Sequence, residues 1–371
     1  RILKSQSFFK LEGMFQTLLR LQVGLCRDAM PSVPTNVFRR CSSATSASAM
    51  HNPATERKMT ALELQHLARK GKKIAMITAY DYPSARQVES AGFDIILVGD
   101  SLGMVVLGYE TTLPVTMEDM LHHTKAVRRG APSRFIVGDM PFGSYEGGTQ
   151  VALKNALRFV KEAGADAVKI EGGNQNRLDS VRTLVQSGIS VMGHVGLTPQ
   201  GIGVLGGFRA QGRTAVKAKQ IVEDALALQE AGAFAVVVEC VPSAVGKAVT
   251  DALQVPVIGI GAGPGTSGQV LVYHDLLGLM HHPHHEKHVP SFCKHYATVG
   301  ENMHNALVNY RNEVHQQQFP SEEYSPYKMS SKEERLFLDM LAADEEDRKE
   351  KSVEIKKKLV EADEYEIVKL Y

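Results

Sequence analysis

Four cysteines in 371 residues, none in a CxxC pair, leave little basis for a disulfide framework or a cysteine-built zinc site. Cys26, Cys41, Cys240 and Cys293 fit a reducing compartment instead. No run of 18 apolar residues is present, so the sequence offers no membrane-spanning helix. A net charge of +1 supplies no global basic field, which argues against a nucleic-acid partner. There is no Walker A motif. The glycine-rich stretch Gly259-Ile-Gly261-Ala-Gly263-Pro-Gly265 is not GxGxxG either, because Pro264 and Thr266 interrupt it. With 43% hydrophobic and 22% charged residues, the composition is that of an ordinary globular chain.

What is present is a set of acids at the ends of apolar runs. Asp94-Ile-Ile-Leu-Val-Gly-Asp100, Phe135-Ile-Val-Gly-Asp139, Ala167-Val-Lys-Ile-Glu171 and Ala235-Val-Val-Val-Glu239 each read as a strand buried on both faces. A carboxylate there is costly without a partner. If these ends share one rim, the carboxylates repel one another unless a cation joins them.

The same pattern repeats over residues 58 to about 280. Strands are expected at 73–80, 94–100, 134–140, 167–172, 190–195, 234–240 and 256–261, with a short eighth at Gln269–Tyr273. Helices are expected at Met117–Arg129, Thr149–Ala163, Arg177–Gln186, Thr214–Ala231 and Ala244–Leu253. Ser90-Ala-Gly-Phe-Asp, Glu162-Ala-Gly-Ala-Asp and Glu230-Ala-Gly-Ala-Phe each supply the left-handed glycine of an αβ turn. Alternating βα units mean a parallel sheet. A (β/α)8 TIM barrel and an open doubly wound sheet compete. The strand count, the span and the spread of polar residues over many strand ends favour the barrel.

The ends differ. From Met14 to Met50 the chain holds Arg20, Arg27, Arg39 and Arg40 against the single acid Asp28, followed by a Ser/Ala-rich stretch. Residues 1–50 therefore read as a mitochondrial transit-like leader, with a matrix location after its removal and a cytoplasmic one if it is no address. Residues 281–288 hold five histidines and read as a surface loop. Residues 321–371 hold 25 charged residues of mixed sign, and Glu334–Ala343 and Val353–Val360 are candidate solvated helices. The expected division is leader 1–50, catalytic barrel 58–307, and a charged extension 308–371, partly helical or disordered.

Asp100, Asp139 and Glu171 are hard oxygen donors, which suits Mg2+ better than zinc. Each alone is as apt to cap a helix; three together favour a metal. Lys169, two residues before Glu171, shares its face and suits a substrate carboxylate or oxyanion, with an ion pair or a Schiff base as the other options. His194 ends a strand and is as apt for structure as for catalysis. Glu239 is a candidate base, with a fourth metal ligand or a structural ion pair as the other options. Cys240 is expected to face away and pack.

At these residues the chain resembles the ketopantoate hydroxymethyltransferase family. The resemblance rests on Thr78-Ala-Tyr-Asp-Tyr82, Leu97-Val-Gly-Asp-Ser-Leu-Gly-Met104, Thr112-Leu-Pro-Val-Thr116, Ala126-Val-Arg-Arg-Gly-Ala-Pro132 and Val168-Lys-Ile-Glu-Gly-Gly173. It continues through Gly193-His-Val-Gly-Leu-Thr-Pro-Gln200, Gly206-Gly-Phe-Arg-Ala-Gln-Gly-Arg213, Val238-Glu-Cys-Val-Pro242 and Ile258-Gly-Ile-Gly-Ala-Gly263. The resemblance implies a barrel of the phosphoenolpyruvate/pyruvate-binding type. It implies hydroxymethyl transfer from 5,10-methylenetetrahydrofolate to 3-methyl-2-oxobutanoate through a Mg-stabilised enolate, in pantothenate and coenzyme A synthesis. By motif, Asp100, Asp139 and Glu171 would hold Mg2+, with Asp100, Ser101, Asp139, Lys169 and His194 around the oxo acid and Glu239 as proton acceptor. A homo-oligomer, decameric as in the family, is implied too. The ends suggest a eukaryotic member, such as a fungal one. The rival reading is a Mg-dependent carbon–carbon lyase of the same barrel superfamily; apart from Glu171, already assigned to the metal, the segment 170–173 offers no cysteine or other acid such a lyase would be expected to use.

Overall fold

The computed structural model describes residues 57–280 and 290–343, with residues 345, 352–353 and 355–358. The leader 1–50, the histidine-rich loop 281–288 and most of the tail beyond 343 lie outside the described residues.

Eight parallel strands close into a barrel in sequence order. They are β1 Ile74–Thr78, β2 Ile95–Val98, β3 Phe135–Asp139, β4 Ala167–Glu171, β5 Ser190–Gly196, β6 Ala235–Glu239, β7 Val257–Ile260 and β8 Gly268–Leu271. β8 returns to β1 with Ile74 opposite Gly268 and Ile77 opposite Leu271. The open-sheet alternative is thereby excluded. Helices alternate with the strands: α1 Ala61–Arg69, α2 Tyr82–Ala91, α3 Met117–Gly130, α4 Thr149–Ala163, α5 Gln175–Gln186, α6 Ala215–Glu230, α7 Ser243–Ala252 and α8 Tyr273–Leu277. α9 Val299–His315 and α10 Ser331–Ala343 follow. α9 runs across residue 307, the expected end of the barrel segment.

The apolar runs are continuous because each strand is buried twice over. Inward residues such as Met76, Leu97, Phe135, Val137, Met192 and Val237 form one cluster inside the barrel. Their outward neighbours, among them Ile77, Ile96, Ile136, Val168, Val236 and Val238, pack with helix residues such as Phe159 and Leu228. Leu64 of α1, wholly buried, joins the inner cluster and helps close its floor. Thr60, Asp81 and Thr116 start α1, α2 and α3 with reciprocal capping boxes. Gly92, Gly164 and Gly232 take φ of 79°, 71° and 101°, the left-handed turns expected before β2, β4 and β6.

The eighth strand differs from expectation. It ends at Leu271, not Tyr273, because the Tyr273 backbone N–H turns to the Thr78 hydroxyl at 2.9 Å and starts α8.

Candidate active site

The register brings the polar strand ends side by side. Asp139 lies opposite Lys169, Glu171 opposite His194, and Gly196 opposite Glu239. On β4, Val168 and Ile170 face the helices, so Lys169 and Glu171 face the interior. Asp100 stands two residues past β2, just before the helical turn Leu102–Val105. All these side chains border one cavity of about 920 Å3 at the C-terminal rim. They are nearly shut from solvent. Asp139 and Glu171 side chains are 3% exposed and Lys169 5%, while Glu239 keeps 16%.

Lys169 Nζ sits 2.8 Å from Asp139 Oδ1 and 3.5 Å from Glu171 Oε1. The ion-pair option for Lys169 is therefore realised. His194 bridges two acids, with Nδ1 3.5 Å from Glu171 Oε1 and Nε2 3.3 Å from Glu239 Oε2. The Asp100 backbone N–H donates to Asp139 Oδ2 at 3.2 Å. Ser101 Oγ lies 2.8 Å from the hydroxyl of the buried Tyr80.

The electrostatics follow. Burial, then repulsion from Asp139 and Glu171, pushes the Asp100 carboxyl well above the usual carboxylate range. Burial also raises Asp139, against the pull of Lys169. Glu171 is buried too, but Lys169 and His194 outweigh that and hold it below its ordinary value. Burial disfavours the Lys169 ammonium, yet Asp139, Glu171 and Asp100 overcome this and raise it. His194 is pushed up to about 9: burial and Lys169 oppose protonation, and hydrogen bonds to Glu171 and Glu239 prevail.

A divalent cation fits the charge and the chemistry of this cluster. Three carboxyl groups meet in one buried space, and the mutual repulsion that raises Asp100 is what a bound cation would relieve. Glu171 Oε1 is buried, and Lys169 and His194 approach it no closer than 3.5 Å. Among the described residues, no group of three or more His, Cys, Asp and Glu side chains is already arranged to hold a metal ion. Here the ammonium of Lys169 and the amide of Gln200 take up oxygens that a cation would share.

Two features lay outside the sequence reading. Gln200, in the turn Pro199–Gly201 after β5, donates from Nε2 to Asp100 Oδ2 and to the Met140 carbonyl, each at 2.9 Å. Tyr145, 2% exposed, donates its hydroxyl to Gln200 Oε1. Their signal in the sequence is position alone: each follows a strand end that bears a flagged residue. Cys240 is a correction. Instead of packing away from the site it borders the cavity, part-exposed. Its φ of 51° breaks the strand alternation directly after Glu239.

The family described as ketopantoate hydroxymethyltransferase matches residues 58–322. The chain is 54% identical over 287 residues to 3-methyl-2-oxobutanoate hydroxymethyltransferase 1, mitochondrial, of Arabidopsis thaliana, covering 77% of this chain and 82% of that one. It is 53% identical over 272 residues to 3-methyl-2-oxobutanoate hydroxymethyltransferase of Moorella thermoacetica, covering 73% of this chain and 99% of that one. A solved phosphonopyruvate hydrolase with oxalate and Mg++ aligns over 78% of this chain and 97% of that one at 15% identity and TM-score 0.46, too slight a likeness to bear on the site. On the family match and these identities, the chain belongs to the ketopantoate hydroxymethyltransferase family.

Proposed function

We propose that this chain transfers a hydroxymethyl group from 5,10-methylenetetrahydrofolate to 3-methyl-2-oxobutanoate, giving 2-dehydropantoate and tetrahydrofolate in pantothenate synthesis. Family membership supports the reaction class. The observation that carries the chemistry is Glu239, a lone carboxylate facing a cationic and carboxylate cluster across His194.

Asp100, Asp139 and Glu171 would hold Mg2+. When bound, the cation would draw the carboxylate and keto oxygens of the oxo acid and acidify the hydrogen on C3. Lys169 and Ser101 would bind and orient the oxo acid, Lys169 as an ammonium paired to an oxyanion. Glu239 would take the C3 proton, and His194, hydrogen-bond distance away, would hold that carboxylate in place. The C3 carbanion then attacks the methylene carbon of the donor as one of its two C–N bonds breaks. Water replaces the second folate nitrogen at that carbon, supplying the hydroxyl, and the C3 proton and the other water hydrogen go to the two nitrogens of the departing tetrahydrofolate.

The cavity is far larger than a five-carbon acid needs. Its remaining wall includes Phe208, Arg209, Arg213 and Phe292, aromatic faces and cations that suit a pterin and the carboxylates of a folate.

Two further readings belong to the same proposal. The Arg-rich, acid-poor composition of residues 1–50 and the name of the Arabidopsis thaliana relative support a mitochondrial address. Residues 1–50 fused to a fluorescent protein should enter mitochondria, and diffuse cytoplasmic signal would remove that reading. A homo-oligomer is supported by Met303, Leu307, Tyr310 and Val314, exposed at helical spacing along α9.

The test is hydrogen exchange at C3 of 3-methyl-2-oxobutanoate in heavy water with Mg2+ and no folate. Wild type should exchange, and Glu239→Gln should lose about a hundredfold or more in rate. Exchange surviving in Glu239→Gln would move the base elsewhere. No exchange and no product in the wild type, even with the folate present, would sink the transfer and favour the lyase.

A further inference from the structure

Gln200 is 6% exposed and turns its backbone N–H and both side-chain polar atoms to the site. Its backbone N–H donates to Glu171 Oε2 at 3.0 Å. Its Nε2 donates to Asp100 Oδ2 and to the Met140 carbonyl, both at 2.9 Å. Its Oε1 accepts the hydroxyl of Tyr145, and that hydroxyl in turn accepts the Glu171 backbone N–H at 3.3 Å. One residue after β5 thereby ties together the ends of β2, β3 and β4.

The amide has only one sensible orientation. Turned over, its oxygen would meet the Asp100 carboxylate and the Met140 carbonyl, and its NH2 would oppose the proton of Tyr145. Tyr145 therefore selects the face that Gln200 presents. The amide also differs in kind from Lys169. It orients a carboxylate through a hydrogen bond to one oxygen, Oδ2 of Asp100, and brings no positive charge of its own.

We propose that Gln200, oriented by Tyr145, is a positioning residue that fixes the carboxylates of Asp100 and Glu171 relative to each other as ligands for a divalent cation. This rests on the metal reading given above. Groups that orient ligands from behind typically govern metal affinity by about 10- to 100-fold.

The experiment uses the purified full chain, without substrate, titrated with Mn2+ alone and read by the electron paramagnetic resonance signal of free Mn2+. Thermal unfolding without metal is followed in parallel to establish that each variant is folded. Gln200→Met, of similar length but without donors, should bind Mn2+ about 10- to 100-fold more weakly while folded. Tyr145→Phe should shift the affinity in the same direction by less. A folded Gln200→Met with wild-type Mn2+ affinity overturns the proposal alone. If Gln200→Met does not fold, unchanged affinity in Tyr145→Phe overturns it. A wild type that binds no Mn2+ overturns the metal reading and this proposal with it.

Discussion

Asp275, in the short helix α8, borders the cavity, and burial raises its carboxyl to about 6, with His295 pulling the other way. The unfolded value is about 3.9, so the folded state holds the proton more tightly. Stability from this group is full below about 4 and is lost as pH rises to about 6. Asp275→Asn should therefore raise the unfolding temperature more at pH 8 than at pH 4.5. At about 1.4 kcal/mol per pH unit the gain is at most about 3 kcal/mol. An equal gain at both pH values would refute the assignment. Legibility at this scale followed periodicity. Lys169, Glu171, Asp139 and Glu239 could be read because strand alternation dictates which way they face. Gln200 and Tyr145 could not, because they lie in loops whose direction no period encodes. Alternation fails for Cys240 because the extended backbone stops at Glu239.

At the scale of elements, β5 and β6 meet more closely than side chains permit. Gly196 ends β5 at φ 94°, and a Cβ there would lie 2.3 Å from the Glu239 carbonyl oxygen and 3.0 Å from the Val241 side chain. The glycine thus lets the strand end that bears the candidate base approach its neighbour. Gly196→Ala should displace Glu239, and a shift near 1 Å is worth about 100-fold in rate. We expect C3 exchange to fall at least tenfold while the folded state survives with a stability loss of about 1–3 kcal/mol. Wild-type exchange in this variant would show that the approach is not needed. The helices read well from sequence: Thr149–Ala163 is recovered to the residue, and the expected Thr214–Ala231 shifts inward because Thr214 is the cap. The β8–α8 junction was not legible. Its boundary depends on Thr78, 195 residues earlier in the chain, rather than on local composition.

For the molecule as a whole, the barrel was predictable from strand count and glycine placement, but its lateral register was not. That Asp139 meets Lys169 and Glu171 meets His194 depends on stagger between strands, which no single strand specifies. Metal and stability should be linked. A divalent cation at about 100 times its dissociation constant adds about 2.7 kcal/mol, so Mg2+ should raise the unfolding temperature, EDTA should reverse this, and Asp139→Asn should abolish the response. The C-terminal region should matter less. α10 has no buried residue, and ending the chain at Ser330 should leave C3 exchange and the unfolding temperature nearly unchanged.

The seam between the first and last strands bears on synthesis. The Ile74 backbone N–H donates to the Ser267 carbonyl at 3.0 Å, and β1 pairs with residues 268–271. A nascent chain emerging from the ribosome holds β1 with one edge unpaired until those residues arrive. Such an edge invites pairing with other chains. A premature stop before residue 268 therefore yields a product that cannot seal itself, and β1 keeps its open edge until the ring closes.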